Sequence, residues 1–384
     1  MAQVTDRRWR KNRETGKREA TGYDGPSPWL ARWRDPDGIQ RSKGFARKVD
    51  AEQYLVSIEH RKLQGDYVDP NAGKVTVREW CETWRRLQVH RPSTATQVES
   101  YFRLHLYPKL GDRQLRSLRP SDVQGWVTER SGPLAAGSVE LMFRHFSAAM
   151  KAAEHDRVIG RTPCQRIKLP KKATVEVVPP TLEQVEALAD AISDRYRAAV
   201  VLAAGAGLRL GEVFGVQVDR LDLMRRTVTV DQQLLTPGRG PAELGPPKTA
   251  SSVRTVPIAD VVVHELSTHL AQFPVVDGFV FTTELDRPVR RSTFQDAWAR
   301  ALKEAGVGHV RFHDLRHHYA SALISAGCSV KAVQKALGHA SATETLETYA
   351  HLWPDDEDRT RDAIQALWTP SDVREMCAVD PAGE

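Results

Sequence analysis

Between Arg311 and Leu352 the chain reads R-F-H-D-L-R-H-H-Y-A-S-A-L-I-S-A-G-C-S-V-K-A-V-Q-K-A-L-G-H-A-S-A-T-E-T-L-E-T-Y-A-H-L. This stretch holds His313, Arg316, His339 and Tyr349 within otherwise ordinary helix-forming text. A helix opening at His313 would carry Arg316 one turn later on the same face. Gly327 and the Gly338-His339 pair punctuate the helices, and Tyr349 falls in a short polar helix bounded by Pro354. A phenol beside an arginine and two imidazoles suits attack on a phosphodiester. The phenol is the nucleophile, and cations hold the phosphate oxygens where negative charge grows in the transition state.

Two further candidates lie upstream: Arg209 in G-L-R-L-G-E, with Glu212 one turn later, and Lys248 in P-P-K-T. Each has a plainer reading when taken singly. A glycine-flanked arginine is commonly a turn residue, a loop lysine is solvated, and a lone tyrosine packs in a core. His313 and His317, at i and i+4, have the spacing of a metal pair. H-E-x-x-H is absent, however, and Arg316 would repel a cation between them, so no metal site is expected.

The elements that must position these residues follow from composition and pattern. A chain of 384 residues, 41% hydrophobic and 27% charged, fits a globular protein of two or three domains. Its net charge of +6, with dense patches at Arg7–Arg18 and Arg32–Lys48, suits an anionic partner without identifying it. Cys81, Cys164, Cys328 and Cys377 lie far apart with no C-x-x-C pair, as expected of free thiols in a reducing compartment. The longest apolar run, Ala198–Leu208, falls well short of the ~20 residues a membrane span needs. The basic start lacks an apolar signal segment, so a cytoplasmic location is expected.

Residues 1–22 are polar and charged, and at least part of them is expected to be flexible. Trp29–Trp33 alternates, Asp35-Pro-Asp-Gly38 turns, and Ile39–Phe45 returns, which predicts a hairpin. Asp50-Ala-Glu-Gln53 reads as a capping box for a helix with Tyr54, Leu55 and Ile58 on one side, ending a small module near Asp66. Asp69–Gly73 is a linker. Residues 74–170 then read as helices only. Thr76-x-x-Glu79 caps a helix carrying Trp80, Trp84 and Leu87, and helices follow at about 94–106, 121–130 and 137–155. Their apolar stripes predict a core, whereas Arg85, Arg86, Arg91, Arg103, Arg144 and Lys151 face either solvent or phosphate. Lys168–Pro180 is a second linker, after which Thr181-x-x-Gln184 caps a third region. Strands are expected over Thr227–Leu234, Ser252–Ile258 and Phe279–Thr282, with Lys248 on the proline-rich loop Thr236–Ser251 and helices from Thr293 onward.

Arg209, Lys248, His313-x-x-Arg316, His339 and Tyr349, taken in this order, resemble the tyrosine recombinase (phage-type integrase) family. That family's order is Arg, Lys, His-x-x-Arg, His or Trp, then Tyr. The resemblance spans residues 181–352 and is most specific in G-L-R-L-G-E, F-H-D-L-R-H-H-Y-A-S and L-G-H-A-S. It implies a multidomain, mainly α fold with small β-sheets. Residues 1–66 would form an arm-type DNA-binding domain of sheet plus helix, and 74–170 a four-helix core-site-binding domain. Residues 176–370 would form a mixed α+β catalytic domain, followed by a polar tail over 371–384.

The resemblance also implies roles. Tyr349 would attack the scissile phosphate, leaving a 3′-phosphotyrosine and a free 5′-hydroxyl. The aryl ester conserves the bond energy, so neither ATP nor another cofactor is expected. Arg209 and Arg316 would clamp the non-bridging oxygens, since guanidinium forks match phosphate geometry. Lys248 would protonate the leaving 5′-oxygen, with a pKa lowered by neighbouring arginines. His313 would share proton transfer with Tyr349, His339 would hydrogen-bond a phosphate oxygen, and Glu212 would buttress the site. Arg311, His317, His318 and His351 would support these groups or touch DNA. Implied partners are double-stranded DNA at core and arm sites and a homotetramer on that DNA. A host bending protein and a directionality factor are further partners that the resemblance allows. The helix over Asp358–Leu367, with Ile364, Leu367 and Trp368, would either dock on a neighbouring protomer or complete its own core. A conjugative-transposon integrase would look the same. A relaxing topoisomerase lacks the three-part layout, and a catalytically silent DNA-binding protein would not need the complete residue set.

Overall fold

A computed structural model describes residues 2–12, 15–36, 38–64, 67–69, 72–172, 176–236, 240–353 and 357–368. The expected tail over 371–384, Cys377, and parts of both linkers and of the Asp35–Gly38 turn lie outside the described residues. The chain divides into two compact units, Met1–Ala173 and Thr174–Glu384.

The first unit opens with strands β1 (Gln3–Asp6), β2 (Trp9–Lys11), β3 (Arg18–Ala20), β4 (Trp29–Arg34) and β5 (Gln40–Phe45), then helix α1 (Lys48–Leu63). β4 and β5 form the expected hairpin, with Trp29 opposite Phe45. Alternation along β4 turns Ala31 and Trp33 inward onto Ala51, Leu55 and Ile58 of α1, which builds a small core. The start of the chain is more ordered than its polarity suggests. β1 pairs antiparallel with β4, and β2 pairs with β3. For β1, main-chain hydrogen bonding to a strand already held by its own core accounts for this, since pairing asks little of the edge strand's side chains, whereas β2 and β3 form a separate two-stranded sheet. The Asp50 capping box does not form. The helix begins at Lys48 with Arg47 at its N-cap, and Asp50 instead pairs with Arg47 at 2.7 Å.

A second core in this unit is wholly helical. It comprises α2 (Val77–Leu87), α3 (Pro92–Tyr101), α4 (Tyr107–Leu110), α5 (Pro120–Arg130) and α6 (Ala136–His155). Thr76 caps α2 as expected: its hydroxyl accepts from the Glu79 N–H at 3.2 Å, and the Glu79 carboxylate accepts from the Thr76 N–H at 2.8 Å. Trp84 is buried and Trp80 donates to the Ala149 carbonyl, whereas Leu87, at the end of the helix, is exposed. A turn of π-helix, Phe102–Leu106, joins α3 to α4 where one helix was expected. Pro108 explains the widened turn, because it has no N–H and its ring crowds the preceding carbonyl.

The second unit is built around α8 (Asp194–Ala206), whose alanine-rich sequence lets other helices approach closely. α7 (Leu182–Ala191, capped by Thr181 as expected), α10 (Asp260–Gln272) and α12 (Asp314–Ser325) pack on it. After the one-turn helix α9 (Leu210–Val213) come β6 (Leu221–Asp222), β7 (Thr227–Val230), β8 (Gln233–Leu235), β9 (Glu243–Gly245) and β10 (Arg254–Pro257). The antiparallel sheet has the order β10-β7-β6. The expected strand Thr227–Leu234 breaks after Val230, and its second half pairs with β9 as a separate hairpin inside the proline-rich connection. Phe279–Thr282 is not a sheet strand. It makes isolated bridges, Phe279 with Gln217 and Thr282 with Pro288, while β6 is the third strand. Its consecutive buried residues Phe279, Val280 and Phe281 fill the core instead of alternating. α11 (Arg291–Glu304), α13 (Val330–Leu337), α14 (Ala342–Tyr349) and α15 (Glu357–Trp368) complete the unit. Ile364, Leu367 and Trp368 on α15 are exposed among the described residues.

Candidate active site

The site is assembled where α8, α12 and α13 end or begin. Gly207 closes α8 in the left-handed region, at φ +63°, and a Cβ there would lie 2.4 Å from the Tyr319 ring. The sharp turn presents the Gly207 carbonyl to Arg316, whose Nη1 donates to it at 2.7 Å. Nη2 of Arg316 donates to the Leu337 carbonyl at the end of α13. Arg316 is 1% exposed, and among the described residues it pairs with no carboxylate. Burial, then Arg209 and Arg254, pull its pKa down to about 9, which still leaves it charged at neutral pH.

Arg209 stands at the N-cap of α9, with its Nη1 on Glu212 at 2.8 Å and its backbone N–H on the same carboxylate at 3.0 Å. Glu212 is buried and accepts a third bond, from Arg254 Nη2 at 3.0 Å. Burial alone would raise the Glu212 pKa. The Arg254 charge and hydrogen bond, with help from Arg209, outweigh burial and hold it below the ordinary carboxylate value. Arg254 also donates to the Ala336 and Ser252 carbonyls, tying β10 to the end of α13. Sequence reasoning passed over Arg254. The available signal was its phase, because it shares the inward face of β10 with Val256.

Gly338, at φ +66°, ends α13 against the loop that follows Lys248, its Cβ position 3.1 Å from Ser251 O. His339 comes next and is buried, its Nδ1 hydrogen-bonded to Thr345 Oγ1 at 2.9 Å. Desolvation and then Arg316 lower its pKa, opposed by Glu344. Tyr349, the last residue of α14, is 1% exposed and its ring stacks on His339 with centroids 6.4 Å apart. Burial pushes the phenol up to about 12, although the Arg316 and Arg209 charges pull the other way.

The Tyr349 hydroxyl does not find its hydrogen bond at His313. Its partner is His317 Nδ1, at 2.7 Å. His313 is the N-cap of α12, solvent-exposed, with its ring 5.1 Å from that of His317. Desolvation, then His317, Arg316 and Arg209, lower the His313 pKa to about 4, opposed by Asp314. Asp314 lies 3.9 Å from His317 Nε2 and is held by Arg311 at 2.8 Å. The i, i+4 spacing of His313 and His317 was legible as one helix face. Which of the two meets the phenol depends on where α14 packs.

Lys248 is exposed between β9 and β10 and has no side-chain partner among the described residues. His318 and His351 do not line the site. Nδ1 of His318 bonds the Pro180 carbonyl at 2.8 Å, and Nε2 of His351 bonds the Val177 carbonyl at 2.9 Å, so both hold the segment entering α7. Among the described residues no cluster of His, Cys, Asp or Glu is placed to hold a metal, and no helix is long and apolar enough to cross a membrane.

Similarity to known proteins gives the chain a family. The phage integrase family matches residues 181–355, and the phage integrase N-terminal SAM-like domain matches residues 76–130. The putative prophage phiRv2 integrase of Mycobacterium tuberculosis is 26% identical, over 88% of this chain and 94% of its own. The Tn916 transposase of Enterococcus faecalis is 27% identical, over 74% of this chain and 76% of its own. Among solved structures, the Tn1549 transposon integrase in complex with transposon right-end DNA is 25% identical with a TM-score of 0.66, covering 76% of this chain and 100% of that one. A lambda integrase dimer bound to a core site shares the fold at 17% identity, with a TM-score of 0.58 and coverage of 85% of this chain and 93% of that one. With both family matches falling on the helical core and on the unit that gathers Arg209, Arg316, His339 and Tyr349, the chain belongs to the phage integrase family and is a tyrosine-type site-specific recombinase.

Proposed function

We propose that this recombinase integrates and excises the DNA of a phage or related mobile element, acting in the cytoplasm of the host cell, and that Tyr349 is its nucleophile. The observation that carries the assignment is the setting of the phenol. Its hydroxyl is buried on an imidazole and lies in the field of Arg316 and Arg209. Attack by Tyr349 Oη on the scissile phosphorus forms a 3′-phosphotyrosine, and the P–O5′ bond breaks. Arg209 and Arg316 neutralise the non-bridging oxygens, and His339 donates to one of them. Lys248, unpaired and on an exposed loop, gives a proton to the departing 5′-oxygen. Glu212 and Arg254 hold Arg209 and β10 in place and do not touch substrate. The reverse reaction rejoins the strands without ATP, because the phosphotyrosine ester retains the bond energy.

In this reading residues 74–170 and 176–370 grip the core site, and 1–66 binds a separate arm site. That bivalence raises the effective concentration of the second contact. The exposed Ile364, Leu367 and Trp368 dock on a neighbouring protomer in a tetramer on DNA. The test is covalent trapping on nicked attachment-site DNA taken from the flanks of the gene, with chelator present. A denaturant-resistant adduct in the wild type that is absent in Tyr349→Phe supports the assignment. No adduct on DNA that the protein binds refutes it, and an adduct that survives in Tyr349→Phe moves the nucleophile elsewhere.

A further inference from the structure

We infer that His317, rather than His313, removes the proton from the Tyr349 hydroxyl as it attacks phosphorus. The inference rests on the recombinase reading above and adds to it the identity of the base. His317 Nδ1 is 2.7 Å from Tyr349 Oη, which is hydrogen-bond contact with the reacting atom. His313 stands one turn earlier on α12, exposed, with its ring against His317. The geometry also selects the tautomer. Asp314 lies 3.9 Å from His317 Nε2, too far for a hydrogen bond but close enough to favour a proton on that nitrogen. Nδ1 is then left with a free lone pair facing the phenol.

The groups that act on His317 are His313, Asp314 and Arg316 on its own helix, Arg311 just before it, and Tyr349 from α14. Desolvation first, then Arg311 and Arg316, lower its pKa against the opposing pull of Asp314. The ring is therefore neutral at physiological pH and able to accept. The phenol, raised to about 12, does not ionise unaided.

In the cleavage step, Oη of Tyr349 gives its proton to His317 Nδ1 while its electron pair forms the O–P bond. The P–O5′ pair leaves on the 5′-oxygen, which takes a proton from Lys248. His317 leaves the step as an imidazolium beside Asp314, and in rejoining it returns the proton to Oη. The Asp314 carboxylate, held in place by Arg311, steadies that imidazolium as a positioning residue.

The test measures single-turnover cleavage of nicked attachment-site DNA by the full-length chain across pH, for the wild type, His317→Asn and Asp314→Asn. The amide oxygen introduced by His317→Asn can occupy the place of Nδ1 and accept the hydrogen bond, yet it cannot take the proton. General bases of this kind contribute roughly 10²- to 10⁴-fold. The expected result is a loss of about 100-fold or more in His317→Asn at neutral pH, with DNA binding unchanged. The wild type should reach a plateau above the His317 pKa. The variant should instead climb about tenfold per pH unit into the alkaline range, because its phenol must ionise to solvent.

Cleavage by His317→Asn within about threefold of the wild type overturns the inference, and so does a large loss without alkaline recovery, which would mark a packing role. Should His317→Asn fail to fold, Asp314→Asn decides. Removing that carboxylate must move the acid limb of the wild-type profile to lower pH, and an unmoved limb overturns the inference. Absence of any adduct in the wild type is a different failure, that of the recombinase reading itself.

Discussion

Glu212→Ala leaves two guanidiniums facing a hole. The carboxylate accepts from Arg254 Nη2 at 3.0 Å, from Arg209 Nη1 at 2.8 Å and from the Arg209 N–H at 3.0 Å. The Arg254 side chain is 4% exposed, so water cannot take over the lost partner. That of Arg209 is 29% exposed and recovers part of its solvation. Removing one member of a buried ion pair costs about 3–5 kcal/mol, nearly all of it here on the Arg254 side. Set against the ~5–15 kcal/mol that holds a typical domain together, the loss is severe. In a domain of this size, each kcal/mol lowers Tm by roughly 2–4 °C, so a fall of about 10 °C is expected. Glu212→Gln keeps an acceptor oxygen and loses only the charge, for about 1–3 kcal/mol.

The pH dependence fixes the sign. The folded-state pKa of Glu212 is depressed, so its contribution is complete above the unfolded value of 4.5 and disappears as pH falls through the folded value. Urea denaturation of the wild type and Glu212→Gln, read from the transition of residues 174–384, should therefore show a gap at pH 7 that closes toward acid. A Glu212→Ala protein within about 1 kcal/mol of the wild type at pH 7 would refute the reasoning, as would a gap that widens toward acid.

Lys248→Ala should lose strand cleavage and regain most of it on DNA with sulfur in place of the bridging 5′-oxygen, since a thiolate leaves without a proton; rate measurements on the paired substrates check this. Gly338→Ala forces a Cβ at φ +66° to 3.1 Å from Ser251 O, and should lower stability by roughly 1–3 kcal/mol and slow cleavage, read by thermal melts and trapping. Thr345→Val keeps the shape but leaves buried His339 Nδ1 without its 2.9 Å partner, at about 1–3 kcal/mol by the same melts. DNA affinity should fall linearly on a log–log plot against salt concentration, and a flat titration would contradict phosphate-dominated binding.

The placement of the candidate residues was legible in the sequence where the chain spells it locally. G-L-R-L-G-E and L-G-H-A-S mark the two left-handed glycine turns that carry Arg209 and His339. The Thr76 and Thr181 capping boxes were legible for the same reason, being closed within four residues. What remained hidden depends on contacts between distant segments. Whether His313 or His317 meets Tyr349 is decided by α14 packing on α12, and Arg254 gains its meaning only once Glu212 lies beside it. The β8–β9 hairpin was masked because its strands are short and bordered by prolines. β1 was masked because an edge strand can borrow its order from β4.

Among the described residues, Arg209, Arg254 and Arg316 crowd around one carboxylate, Glu212, and Arg316 donates to the neutral carbonyls of Gly207 and Leu337. The free protein thus carries an internal repulsion that an oxyanion relieves, so the unliganded state is the frustrated one and the loaded state the relaxed one. Inorganic phosphate or sulfate in a buffer should then make this enzyme look sturdier than it is before DNA arrives.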